Sequence, residues 1–165
     1  MKISPASLSQ KIYNIEDLIK EIERWKLKSR KIVFTNGVFD ILHEGHIASL
    51  CQASEHGTIL IVGVNSDDSV KRLKGPSRPV NTELTRTTIL SSLIMVDAVI
   101  LFSEDTPLEL IKKIMPDVLV KGGDYKVDQI AGAKEVLENG GEVILADLVP
   151  EISTTQIISR ISLDN

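Results

Sequence analysis

Cysteine is nearly absent from this chain: Cys51 is the single one in 165 residues. One thiol cannot build an intrachain disulfide framework or a multi-cysteine metal site. No apolar run approaches the roughly 20 residues needed to cross a bilayer. The N-terminal MKISPASLSQ lacks the apolar stretch of a secretory signal. The expectation is a soluble, cytoplasmic protein without membrane association. Basic residues are in deficit, with 19 Lys and Arg against 23 Asp and Glu and a formal charge of −4. That balance argues against a general nucleic-acid binder, which needs a broad basic field. A small anion held by a local cluster of cations is still compatible with it. Internal repeats, low-complexity tracts, a Walker-type lysine loop and a G-x-G-x-x-G fingerprint are also missing. P-loop hydrolase and dehydrogenase readings therefore lose their main support.

What is present suits one hydrophobic core in a chain of this length. The expected organisation is a single domain over 1–165, with an arm and helix in 1–29 and a catalytic core in 30–161. The first dozen residues are polar and read as a loose arm. Ile15, Leu18, Ile19, Ile22 and Trp25 then recur at helical spacing, predicting an amphipathic helix from about Ile15 to Lys28 with Asn14 as N-cap. Its apolar stripe either closes the core or contributes to a homodimer contact. Short β-branched runs follow at 31–35, 58–64, 97–102, 117–121 and 142–146. They alternate with helical patterns at about 46–56, 84–94, 107–114 and 132–139, and a last helix starts near Thr154. The runs are apolar throughout, as in strands covered on both faces. The alternation predicts an α/β fold: a doubly wound, five-stranded parallel sheet with an added N-terminal helix. Ligands of such sheets sit beyond the carboxyl ends of the strands, where strand order reverses.

The first strand exit is the richest segment: Thr35-Asn36-Gly37-Val38-Phe39-Asp40-Ile41-Leu42-His43-Glu44-Gly45-His46. Asn36-Gly37 is expected to turn with positive φ, and Gly45 admits close approach of a ligand or backbone. His43 and His46 are two of the chain's 3 histidines. Spaced three apart, they share one face of a first helical turn, where free backbone N–H groups favour an anion. A histidine met singly here would pack or cap without chemistry; the pair points to a ligand. A zinc alternative also exists, with Asp40 as third ligand. However, His-Glu-Gly-His is one residue short of H-E-x-x-H, which places its histidines at i and i+4.

T-N-G-V-F-D-I-L-H-x-G-H resembles the signature of the cytidylyltransferase-like branch of the HxGH nucleotidyltransferases. Three further segments resemble one subfamily, the adenylyltransferases acting on D-glycero-D-manno-heptose 1-phosphate. They are Lys74-Gly75-Pro76-Ser77-Arg78-Pro79-Val80, Val120-Lys121-Gly122-Gly123-Asp124-Tyr125 and Ile152-Ser153-Thr154-Thr155-Gln156-Ile157-Ile158. The match runs from about residue 30 to residue 161. H-x-G-H alone is a short pattern; four motifs in order, each at a strand exit, are specific.

The resemblance implies a Rossmann-like fold and transfer of AMP from ATP to D-glycero-β-D-manno-heptose 1-phosphate. The products would be ADP-heptose, for lipopolysaccharide synthesis, and pyrophosphate. Mg²⁺ would arrive with ATP, with no dedicated protein metal cage. Some family members carry a sugar kinase in the same chain; this one is expected to rely on a separate kinase upstream.

The resemblance also implies roles for individual residues. His43 and His46 contact the triphosphate, and Lys74 neutralises charge between nucleophile and α-phosphate. Thr35, Asn36, Gly37, Phe39, Asp40 and Gly45 line the nucleotide pocket. Lys121, Gly122 and Asp124 surround the nucleotide, while Ser153, Thr154 and Thr155 cradle the β- and γ-phosphates at a helix start. Asn65, Lys71, Arg78 and Arg86 fall to the acceptor substrate. The ordinary alternatives are a solvated basic turn at 71–74, a glycine turn at 122–124 and a simple N-cap at 153–155. Two other functions remain open: a cytidylyltransferase acting on glycerol 3-phosphate or a similar small alcohol phosphate, and a nucleotide-binding sensor that has lost catalysis. Intact His43, His46 and Lys74 argue against the sensor.

Overall fold

The computed structural model describes residues 5–123, 125–147 and 153–163. The sheet has six strands, all pairing in parallel, in the order β1-β4-β3-β2-β5-β6. They are β1 (Ile12–Tyr13), β2 (Ile32–Gly37), β3 (Ile59–Asn65), β4 (Ala98–Phe102), β5 (Val118–Gly122) and β6 (Glu142–Ala146). The helices are α1 (Pro5–Ser9), α2 (Ile15–Leu27), α3 (Glu44–Ser54), α4 (Asp67–Lys74), α5 (Glu83–Ser91), α6 (Leu108–Ile114), α7 (Ala133–Glu138) and α8 (Thr154–Leu163). The chain runs outward from β2 through β3 to β4, then returns to the other side of β2 as β5 and β6. Strand order therefore reverses between β2 and β5, which is where a ligand is expected.

Successive strand residues point to opposite faces, and both faces are covered. Phe34, Ile61, Ile100 and Leu119 pack with Leu18 and Ile22 of α2 and Ile111 of α6. Val33, Val62, Val99 and Val120 pack with Leu50 of α3 and Leu90 of α5. This explains why the strands read as uninterrupted apolar runs. The α2 stripe closes the first of these layers, and Asn14 caps that helix by accepting from the Asp17 N–H at 2.9 Å. Among the described residues no helix is long and apolar enough to cross a membrane.

One expectation needs correction. Residues 5–13 are not a loose arm: α1 packs against α5, and the short β1 pairs with β4 at the sheet edge. The Val99 N–H donates to the Lys11 carbonyl at 2.7 Å, and the Lys11 ammonium donates to the Val96 carbonyl at 2.7 Å. The sheet thus has six strands rather than five, because a two-residue strand is too short to show periodicity. The segment 67–74, for which no element was expected, forms α4. Ser66 caps α4 by accepting from the Ser69 N–H; Asp67 and Asp68 stand in the first turn and Lys71, Arg72 and Lys74 in the last. That charge order complements the macrodipole.

Gly63 lies opposite Asn36 in the β2–β3 ladder. A Cβ there would sit 2.7 Å from the edge of the buried Phe34 ring. Gly63→Ala is expected to destabilise the protein by about 1–3 kcal/mol, the usual cost of overpacking. Chemical denaturation checks this; an unchanged midpoint would show that the ring moves freely.

Candidate active site

The β2 exit is built differently from its sequence expectation. Asn36 and Gly37 remain in register with Gly63 and Val64, so the strand continues through both. The chain turns later, at Phe39, whose φ is 49°. A side chain in this left-handed region carries strain of the order of 1–3 kcal/mol, and packing holds it there. Phe39 is buried, and its ring centroid lies 5.2 Å from that of His46. Gly37 makes room: a Cβ at that position would meet the Phe39 ring at 3.0 Å.

Asp40 follows, with its carboxylate fully enclosed. It accepts from the Val80 and Asn81 amides, each at 2.8 Å, and from Arg78 Nε at 2.7 Å. Burial alone would raise this carboxyl, but the two amides and the guanidinium outweigh it and hold the group below its ordinary value. Asp40 therefore anchors the β2 exit to the segment before α5. Both of its oxygens are thus engaged by Arg78, Val80 and Asn81. Among the described residues no three His, Cys, Asp or Glu side chains gather to hold a metal ion.

His43 is the N-cap residue of α3 and His46 lies in its first turn. The two rings stack with centroids 3.8 Å apart and an interplanar angle of 27°. Burial lowers the pKa of His43, opposed by Glu44. Burial, reinforced by the charge of His43, pushes His46 down to about 4 against the Ile41 backbone. Both rings are thus neutral at pH 7. Nδ1 of each is buried with no hydrogen-bond partner among the described residues. Leaving a buried polar atom unmatched costs about 1–3 kcal/mol, so the site is built to be completed by something polar.

A cleft of about 360 Å³ opens at the reversal point between β2 and β5. One wall is 35–40 from the β2 exit, which brings in Thr35, Asn36, Gly37, Phe39 and Asp40. His43, Gly45 and His46 form the floor of α3, and Lys121 and Gly122 end β5 beside them. Ser153, Thr154 and Thr155 at the start of α8 face the same space, and Lys74 and Arg78 complete its lining. Ser153 acts as a cap, accepting from the Gln156 N–H at 3.2 Å, while the Thr154 hydroxyl points to the Ile41 carbonyl at 3.5 Å.

A second cleft of about 460 Å³ adjoins the first, and the two share Asn36, Gly37, Val38, Lys74 and Lys121. Asn65 lines the second cleft only, together with Thr106, Tyr125 and Gln129. Thr106 and Gln129 belong to no motif, and nothing in a single sequence singles them out, whereas Tyr125 closes the 120–125 segment.

Two of the expected site residues lie elsewhere. Lys71 is solvent-exposed, pairs with Asp68 at 3.4 Å and lines neither cleft. Arg86 is fully buried, and its guanidinium faces the protein rather than a substrate. It donates to the carbonyls of Asn81, Val38 and Asn65 and to the Asp67 carboxylate, at 2.6–3.1 Å. Arg78, by contrast, lines the first cleft, oriented by Asp40. Asp124 lies outside the described residues.

Residues 34–160 match the cytidylyltransferase-like family. The chain belongs to that family. Among relatives of this nucleotidyltransferase, the bifunctional protein HldE of Paramagnetospirillum magneticum is 51% identical over 152 residues, 92% of this chain and 31% of its own length. The bifunctional protein HldE of Escherichia coli O1:K1 is 53% identical over 149 residues, 90% of this chain and 31% of its own. The nucleotidyltransferase chain thus spans about a third of the length of the curated relatives it matches. Among solved structures, the lipopolysaccharide core biosynthesis protein of Thermoplasma volcanium superposes with a TM-score of 0.59 at 32% identity, over 73% of this chain and 97% of that one. Pantoate-β-alanine ligase of Francisella tularensis gives a TM-score of 0.60 over 92% of this chain and 77% of that one; at 17% identity it shares the fold.

Proposed function

We propose that this nucleotidyltransferase transfers AMP from ATP to D-glycero-β-D-manno-heptose 1-phosphate, forming ADP-heptose and pyrophosphate. One observation carries the reading: a stacked, neutral histidine pair with unmatched buried nitrogens at the floor of a cleft that shares a wall with a second. The first cleft takes MgATP, with the metal ion entering as part of that substrate. The second takes the sugar phosphate. A phosphate oxygen of the acceptor attacks the α-phosphorus, the new P–O bond forms, and the bond to the β-phosphate oxygen breaks as pyrophosphate leaves. The nucleophile is already ionised, so no general base is needed. Catalysis rests on positioning and on donors aimed at oxygens that gain charge. Neutral imidazoles serve as those donors, while Lys74, Arg78 and the hydroxyls at the start of α8 hold the triphosphate.

The choice of sugar rests on the resemblance of 74–80, 120–125 and 152–158 to heptose 1-phosphate adenylyltransferases. The name of the Thermoplasma neighbour agrees with it. The acceptor enters as a phosphate monoester, so a phosphorylating reaction must come before this step. Pyrophosphate release is the test, with ATP and CTP each offered against heptose 1-phosphate and glycerol 3-phosphate. The expected result is release with ATP and the heptose phosphate only. Release with CTP and glycerol 3-phosphate would make the protein a cytidylyltransferase on a small alcohol phosphate. ATP binding without release on any acceptor would make it a sensor.

A further inference from the structure

Lys121 stands at the carboxyl end of β5, half-buried, in the wall common to both clefts. Its surroundings do not match its charge. The Asn36 side-chain oxygen lies at 3.4 Å from the ammonium and the Tyr125 ring centroid at 5.9 Å. No carboxylate among the described residues forms an ion pair with it. Asp105, the acidic residue in the lining of the second cleft, is held by Arg72 at 2.8 Å. Burial lowers the Lys121 pKa. A half-buried cation with no counter-charge among the described residues is partly desolvated at a cost, and an arriving anion relieves that cost.

Two anions meet at this wall, and the distribution of other donors tells them apart. The triphosphate side already has His43, His46, Arg78 and the α8 hydroxyls. Among the described residues the second cleft is lined by two cations, Lys74 and Lys121. Lys74 is exposed at the end of a helix, whereas Lys121 is fixed by a central strand. The sequence expectation gave Lys121 to the nucleotide. Building on the proposed function, we infer that Lys121 is the acceptor-binding cation, which receives the phosphate of the sugar phosphate in the second cleft and so selects phosphate monoesters over neutral polyols.

The test compares Lys121→Met with the unmodified protein, using ATP and heptose 1-phosphate. The expected result is an increase of about 30-fold in KM for the sugar phosphate, the size of a lost charge-assisted hydrogen bond, with KM for ATP within about threefold. Lys121→Arg is expected to recover part of the loss. The thermal midpoint of the methionine variant should equal or exceed that of the parent, because an uncompensated half-buried charge has gone; a purely structural lysine would lower it. A rise in KM for ATP with the acceptor constant unchanged would overturn the inference. If the unmodified protein does not turn over heptose 1-phosphate, the proposed function fails, and Lys121 is judged separately with inorganic phosphate. Calorimetry on protein saturated with a non-hydrolysable ATP analogue should then show phosphate binding that Lys121→Met abolishes. Equal binding by both would overturn the inference.

Discussion

Replacing His46 by alanine is expected to lower turnover by about 10²–10³-fold, the cost of removing one donor to a developing oxyanion, while the protein still folds. The ring packs between His43 and Phe39. Its loss removes stacking but also removes an unmatched buried nitrogen, so the stability change is small beside the kinetic one. The neutral-donor account has a pH signature. His46 titrates near 4 when folded, against an ordinary value of 6.5. The unfolded chain therefore binds the proton first as pH falls. The stability linked to this ring is fully present above about 6.5 and is lost as pH drops toward 4. The alanine variant should lack that part of the acid sensitivity. Proton NMR titration of the free protein provides the check, and a His46 midpoint near 6.5 would contradict a neutral donor.

Arg86→Met is expected to be the most destabilising single change at the site, at about 3 kcal/mol or more, as for a broken buried charge network. For a chain of this size that is a fall of about 6–12 °C in Tm. One guanidinium ties three backbone carbonyls and the Asp67 carboxylate together across the exits of β2 and β3 and the entry to α5. Arg86→Lys keeps the charge but not the planar fork, and should recover little. Val38 and Asn65, whose carbonyls Arg86 holds, also line the second cleft. Activity measured well below the lowered Tm should therefore fall too, with KM for the acceptor rising more than KM for ATP. Thermal unfolding decides the first point; a midpoint within about 2 °C of the parent would show that the clamp is dispensable.

How much was legible beforehand depended on what each residue's chemistry specifies. β2 to β5 showed because burial on both faces writes an apolar run, β6 because its run is apolar although the edge strand is half-exposed, and the α2 stripe because it has a helical period. β1 has only Ile12 and Tyr13, too few to carry a pattern. α4 has one buried aliphatic residue, Val70, among charges, and so no element was expected there. The histidine pair was readable because its spacing alone puts both rings on one face. Arg86 was found as a special residue but on the wrong side of the wall, since a guanidinium looks the same in sequence whether it faces a substrate or three carbonyls. Phe39 took the turn expected of Asn36-Gly37 because ladder pairing kept those residues extended.

The central claim is attack by the acceptor's own phosphate on the α-phosphorus of ATP. Heptose 1-phosphate labelled with ¹⁸O in its non-bridging phosphate oxygens, incubated with MgATP and the protein, tests it by ³¹P NMR. The account predicts a sugar nucleotide whose two phosphorus signals both carry the isotope shift, because one labelled oxygen now bridges them, together with unlabelled pyrophosphate. A product whose adenylate phosphorus is unshifted, or release of ADP in place of pyrophosphate, would contradict it.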